Sequence, residues 1–222
     1  MLEIFHREPN GFDLMPLITL FEKGVRFESR YIESGFEPFA SPRPSLEAEE
    51  NLEIEGPLLV HDGQPISEAF FMIEYLDETF PDPALKPRTP RGDWQVQVWG
   101  RFLGERAAPA VMTLGVHRFL APALGSRAAR LEPAVERLAK PERRTAWREA
   151  LRDGFSPETL AESRRKAGLL VERVESALGE RHSWLVEDTY GLADIAAFAL
   201  SMSLPKLVPD LAGAAAAPRM TR

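Results

Sequence analysis

The chain contains no cysteine in 222 residues. That excludes disulfides, thiolate metal sites and a thiol nucleophile supplied by the protein, so any sulfur chemistry must use sulfur carried by another molecule. No apolar run approaches the roughly 18 residues that a membrane-spanning helix needs. Met1-Leu2-Glu3-Ile4 has no basic segment followed by an apolar one, so nothing reads as a secretory signal. A soluble protein in a cytoplasmic setting, with no membrane partner, is the expectation. Positive charge is in short supply: 27 Lys and Arg against 34 Asp and Glu leave a formal net charge of -7. The basic residues are dispersed, which argues against nucleic acid as a partner, because phosphate binding rests on clustered Lys and Arg. The four histidines have no metal-ligand spacing, so no metal site is expected. Internal repeats are absent.

What is present is an ordinary globular composition, 44% hydrophobic and 27% charged, in a chain long enough for two domains. Glu3-Ile4-Phe5-His6 reads as a short strand. Gly11-Phe12-Asp13 then leads into a helix running to Lys23. Asp13 is its expected N-cap, Pro16 is tolerable only within the first turn, Leu14, Leu17, Ile18 and Phe21 share a face, and Gly24 is the left-handed stop. Arg26 to Ile32 alternates well enough for a second strand. Residues 33–56 carry Gly35, Pro38, Pro42 and Pro44 before the acidic stretch Glu47 to Glu55, and read as a mostly irregular connector with room for one short helix. From Gly56, an apolar strand, an Asp62-Gly63 turn and a returning strand to Ile66 form a hairpin pattern. Ser67 can cap the helix that follows, which repeats Ala69, Met72, Ile73, Leu76 and Phe80 at helical spacing before Pro81.

Strand, helix, strand, connector, strand, strand, helix is a thioredoxin-like order, giving an α/β domain over residues 1–81. Pro81 to Arg91 holds four prolines, so residues 82–91 read as a linker. Residues 92–222 read as an all-helical domain. Trp94 to Val111 is a long helix weakened by Gly100 and Gly104, and residues 126–151 are broken near Pro133 and Pro141. Leu160 to Leu178 is a cleaner helix. Gly191-Leu192-Ala193-Asp194-Ile195 opens another, with Gly191 at the N-cap, Asp194 at the third position and Tyr190 stapled against Ile195.

These residues carry a resemblance. Gly56-Pro57-Leu58-Leu59-Val60-His61-Asp62-Gly63, Ser67-Glu68-Ala69 and Ile73-Glu74-Tyr75-Leu76-Asp77-Glu78-Thr79-Phe80-Pro81 resemble the end of the glutathione-binding domain of glutathione S-transferases. Tyr190 to Ile195 resembles that family's capping-box helix. Leu20-Phe21-Glu22-Lys23-Gly24 and the stretch from Arg152-Asp153-Gly154-Phe155 to Leu185-Val186 look closest to the bacterial β-etherase type, which uses glutathione to cleave aryl ethers of lignin-derived compounds. The resemblance implies a homodimer. It also implies a cis peptide bond before Pro57, with Gly56 pairing its backbone to the cysteinyl part of glutathione. Ser67 and Glu68, at a helix N-terminus, would receive the γ-glutamyl carboxylate.

Two positions depart from the pattern. Where the family commonly has a hydroxyl after the glutamate this chain has Ala69, which removes a hydrogen bond to a charged group worth roughly 1.5–3 kcal/mol. In the loop that normally offers Ser, Tyr or Cys to the glutathione sulfur, the chain reads Glu8-Pro9-Asn10-Gly11-Phe12-Asp13. Asn10 could donate its amide to a thiolate, and Asp13 could act as a base or serve only as a helix cap. The resemblance makes Phe12, Arg101 and His117 the candidate contacts for an acceptor substrate, Arg101 through its place with Trp94 and Trp99 on the helix expected from Trp94 to Val111, and His117 as an acid or base. The function expected is attack of glutathione thiolate on an electrophilic carbon of an aromatic substrate, with β-aryl ether cleavage as the specific case. Two other readings remain at this point: a glutathione-independent enzyme on the same scaffold, using Asp13 or His117 on a natural product, and a non-catalytic binding or scaffold protein, favoured if Phe12 blocks the groove.

Overall fold

The structure is a computed structural model that describes residues 1–7, 10–32, 56–125, 128–136, 141–151, 154–179 and 182–221. The expected irregular connector and its acidic stretch Glu47 to Glu55 lie outside the described residues. Four strands, β1 (Leu2–His6), β2 (Glu28–Tyr31), β3 (Leu58–His61) and β4 (Gln64–Ile66), form one sheet in the order β2-β1-β3-β4. β2 runs parallel to β1, whereas β3 is antiparallel to both β1 and β4. Two helices, α1 (Gly11–Glu22) and α2 (Ala69–Thr79), belong to this half. Leu2 and Ile4 of β1, Leu59 of β3, Leu20 of α1, and Met72 and Leu76 of α2 are buried together in one cluster. The half is thioredoxin-like and an all-helical half follows it.

α1 differs from its expected form in three ways. Its N-cap is Asn10, not Asp13: Asn10 Oδ1 accepts from the backbone N–H of Phe12 at 3.0 Å and of Asp13 at 3.2 Å. The helix therefore begins three residues earlier, and Pro16 falls beyond its first turn. Phe21 is 73% exposed while Met15, Pro16, Thr19 and Leu20 are buried. The reason is that α1 is covered on two sides, with Leu17 and Leu20 toward the sheet and Leu14, Met15 and Ile18 toward the helical half. A single apolar stripe does not describe a helix buried between two layers.

The helical half begins with α3 (Pro90–Phe102), capped by Thr89, whose Oγ1 accepts from Gly92 N at 2.9 Å. A π-helical turn, Leu103–Ala107, carries it into α4 (Ala108–Gly115), and a second, Val116–Leu120, leads to α5 (Ala121–Leu124). The long helix expected over Trp94–Val111 is thus two α-helices joined by a π turn. α6 (Ala128–Glu136) contains Pro133, and α7 (Pro141–Leu151) opens on Pro141. α8 (Pro157–Ala177), α9 (Leu192–Ser201), α10 (Leu204–Leu207) and α11 (Pro209–Ala212) complete the chain. Ala217 is fully buried, and Arg219 N and Met220 N donate to Glu175 Oε1 at 2.8 and 2.6 Å, so the residues after the alanine run dock onto α8.

α9 lies at the junction of the halves. Asp194 Oδ2 accepts from Gly191 N at 3.1 Å and Oδ1 from Leu185 N at 2.9 Å, the box expected from the sequence with a loop added to it. Gly191 is required by closeness: a Cβ there would lie 2.2 Å from Leu85 O. One continuous core runs from Met15 of α1 and Ile73 of α2 through Ile195 and Ala199 of α9 to Leu170 of α8. A buried ion pair between Lys23 and Asp77 ties α1 to α2, and Lys23 Nζ also donates to Pro83 O.

Candidate active site

Three segments converge beside the sheet: the turn from β1 into α1, the approach to β3 at Gly56 and Pro57, and the N-terminus of α2. The first is held by a chain of hydrogen bonds. Asp13 is 1% exposed; its Oδ1 accepts from Arg7 N at 3.3 Å and its Oδ2 from Asn10 Nδ2. Burial pushes the Asp13 carboxyl up, against the lowering effect of the Asn10 and Arg7 hydrogen bonds and the Arg7 charge. Asp13 is therefore enclosed in the frame of the turn, and Asn10 has both its oxygen and its amide engaged there.

Gly56 O accepts from Arg7 Nη1 at 3.4 Å. A Cβ on Gly56 would meet only Phe12 Cβ, at 3.8 Å, so the glycine leaves a shallow cradle facing the start of α1. The peptide bond before Pro57 is not cis, contrary to the expectation; the cis bond among the described residues is Asp82–Pro83. The trans form is the ordinary preference of an X-Pro bond, by roughly 0.5–1 kcal/mol.

At the third segment the N-cap is Glu68, not Ser67, and its side chain makes no capping bond. Glu68 has φ +66 and ψ 104, a left-handed backbone that costs a non-glycine residue on the order of 1–3 kcal/mol. Ser67 is half-buried and makes no hydrogen bond with the described residues. The first turn of α2 thus presents backbone N–H groups with no side chain capping them, a setting suited to a carboxylate.

A cavity of about 890 Å³ opens from Phe12 and Glu68 into the helical half. Its walls are Gly100 of α3, Gly104 of the first π turn and Ala108 of α4, Leu192, Ala193 and Ala196 of α9, and Phe70, Phe71, Trp147 and Phe155. Arg101 lies on this wall with its Nε 3.1 and 3.2 Å from the two Glu105 oxygens. His117 is exposed on the second π turn and does not line the cavity. Trp99 is buried with the Arg173 guanidinium 4.3 Å over its ring, so it serves packing, whereas Trp94 is exposed. Phe12 forms part of the wall and does not fill the space.

Over 92 residues, 41% of this chain and 39% of the relative, the sequence is 36% identical to a probable glutathione S-transferase of Nicotiana tabacum. Over 212 residues, 92% of this chain and 79% of the relative, it is 32% identical to Protein LigF of Sphingobium sp. (strain NBRC 103272 / SYK-6). The crystal structure of the β-etherase LigF from Sphingobium sp. strain SYK-6 superposes with a TM-score of 0.88 at 29% identity, covering 99% of this chain and 91% of that one. The chain belongs to the glutathione S-transferase family. It is a glutathione S-transferase-like enzyme. The glutathione transferase F7 from Populus trichocarpa shares the fold, with a TM-score of 0.70 at 18% identity over 100% of this chain and 90% of that one. No family model matches the chain.

Phe12, Glu68 and Arg101 thus line one cavity, Asn10, Asp13 and Gly56 lie beside Phe12 without lining it, and His117 stays outside. Two features escaped the sequence. Arg7 follows the last strand residue in a polar-looking run, His6-Arg7-Glu8, yet is only 7% exposed. Gly100 and Gly104 read as helix weakeners, but their four-residue spacing, continued by Ala108, is what keeps one wall of the cavity low. That spacing was a usable signal.

Proposed function

We propose that this transferase uses glutathione to cleave β-aryl ethers of aromatic ketones. The observation that carries the reading is the likeness to LigF along nearly the whole chain, joined to three segments that suit glutathione. The open cradle at Gly56 and the uncapped first turn of α2 fit an extended peptide ending in a carboxylate. Gly56 would supply backbone pairing, and Ser67, Glu68 and the N–H groups after Glu68 would receive the γ-glutamyl end, without a hydroxyl at Ala69.

Bound glutathione supplies the thiolate, which forms a C–S bond to the carbon beside the ketone as the C–O bond breaks and the aryl oxygen leaves as phenolate. The chain's own residues bind, orient and exclude water. The Phe12, Phe70, Phe71, Trp147 and Phe155 rings would select an aromatic acceptor, and Arg101 on the cavity wall would meet its polar end. Asn10 and Asp13 would act through the shape of the turn. The same reading includes a cytoplasmic setting and a homodimer; Trp94 on α3, 60% exposed, suits an interface.

The test is calorimetric titration of the full chain with reduced glutathione at neutral pH, followed by phenol release from an α-aryloxy ketone. Saturable one-site binding and glutathione-dependent release are expected. Absence of binding heat together with an unchanged melting temperature would overturn the reading.

A further inference from the structure

Trp99, Phe102 and Arg106 follow one another at helical spacing, so they share one face of α3 and of the π turn that continues it. Gly100, Arg101, Gly104 and Glu105, interleaved with them, line the cavity instead, which makes the first face the back of the cavity wall. The Trp99 and Phe102 rings meet edge to face, with centroids 6.1 Å apart. Arg173 of α8 lays its guanidinium over both, 4.3 and 4.2 Å from their centroids. Stacking fixes the plane of that guanidinium and leaves its in-plane N–H groups directed away from the rings, where they meet no acceptor among the described residues.

Arg106 stands one turn beyond Phe102, on whose ring Arg173 rests. Burial draws the Arg173 pKa down and the Arg106 charge draws it further, so the two cations face each other. Among the described residues no acid offsets them. Glu105 turns to Arg101, with both oxygens near its Nε, and Glu175 accepts from Arg219 N and Met220 N. Glu162, earlier on α8, pairs with Arg165 and Lys166. Glu172 is exposed and forms no ion pair with Arg173.

We propose that Arg106 and Arg173 form a binding site for a phosphate-type oxyanion on the back of the cavity wall. The planar fork of Arg173, held edge-outward by two rings, suits two oxygens of one phosphate, and Arg106 supplies the second positive charge that a dianion calls for. Helix packing holds two like charges together there, and a shared anion relieves their repulsion. Arg106 also belongs to a π turn, an interruption of regular helix that is frequent at functional sites. Leu169, one turn before Arg173 on α8 and 37% exposed, adds an apolar contact that a phosphate ester with an apolar group would use. The site stands independently of the glutathione reading, since none of its residues lines the cavity.

The test is calorimetric titration of the full chain, in phosphate-free buffer, with inorganic phosphate and with phenyl phosphate up to about 20 mM. Saturable one-site binding is expected, weakened about tenfold in Arg106→Gln and in Arg173→Gln. Arg173→Lys keeps the charge but loses the fork and should recover only part of the affinity. Arg165→Gln removes the same unit of charge from an exposed position on α8 and should leave affinity within about twofold. Tighter binding of phenyl phosphate would assign the site to a phosphorylated organic compound, and equal binding to free phosphate. No saturable binding of either probe overturns the proposal, as does an equal loss in Arg165→Gln, which would mean attraction to general surface charge. Displacement of phosphate by saturating reduced glutathione would put the anion in the groove and overturn it too. Should Arg173→Gln fail to fold, Arg106→Gln, at an exposed position, decides alone: unchanged affinity there removes the site.

Discussion

Glu68 is a residue whose backbone works against its own stability. Its left-handed φ of +66 places a carboxylate side chain at an exposed edge of the groove, ahead of an uncapped helix. A chain under no demand there would use glycine. Replacing Glu68 by Ala leaves the backbone strain in place and removes only the side chain, so the melting temperature should stay within about 1 °C while glutathione affinity falls about tenfold, read by calorimetry. Glu68→Gly should lose similar affinity but raise the melting temperature, because the strain is relieved. Equal affinity in both variants and the wild type would remove Glu68 from the site. The sequence already marked this residue through its place at a helix start. It gave no sign of the strain, which comes from the way β4 must turn into α2.

At the scale of elements, the cavity wall is set by α3. Gly100 has nothing within 4 Å of a would-be Cβ, so larger side chains there enter open space. Gly100→Leu should therefore stabilise the protein, by up to about 1 kcal/mol from helix propensity alone. The same change should cut kcat/KM for a bulky aryl ether at least tenfold while leaving glutathione affinity unchanged. Steady-state kinetics alongside thermal unfolding separate the two effects.

α9 offers a pH-dependent counterpart. Burial raises the Asp194 carboxyl from 3.8 to about 6, outweighing the backbone hydrogen bonds from Leu185, Gly191 and its own N–H. The folded state then binds more protons than the unfolded state between about pH 4 and 6. Stability from this group is fully present below about pH 4 and is lost as pH rises through about 6. Unfolding midpoints in urea at pH 4 to 7 should show the wild type losing more stability across that window than Asp194→Asn does. Identical pH slopes would refute the assignment. The capping box itself was legible because Gly191 and Asp194 stand three apart before an apolar run. The Leu185 N–H that Asp194 also holds was not, since it arrives from a loop.

The whole molecule is held together where α1 meets both halves. Lys23, with its side chain fully buried, pairs with Asp77, and Asp77 Oδ1 also accepts from Leu85 N at 2.8 Å, joining α1, α2 and the segment leading to α3. Tyr190 donates to Glu22 at 3.1 Å and brings the start of α9 onto the end of α1. Removing Lys23 alone leaves a buried carboxylate without its cation, so Lys23→Met should cost about 3–5 kcal/mol. The double variant Lys23→Met, Asp77→Leu should recover part of that loss, limited by the Leu85 N–H left without an acceptor. Chemical denaturation of the full cycle checks the coupling, and simple additivity would contradict it.

The sequence by itself determined the order of elements, the thioredoxin-like start, the hairpin at Asp62-Gly63 and the box at Gly191, because these depend on turns, caps and periodicities read over a few residues. It also carried enough matched positions to place the chain in its family. Tertiary structure alone decided that Phe21 faces solvent, that His117 stays outside the cavity and that Arg7 is buried beside Gly56. Each of these outcomes depends on which surfaces of an element are covered by others distant in the chain. A 12-residue helix enclosed on two sides, or an arginine enclosed by two loops, has no local pattern that announces it.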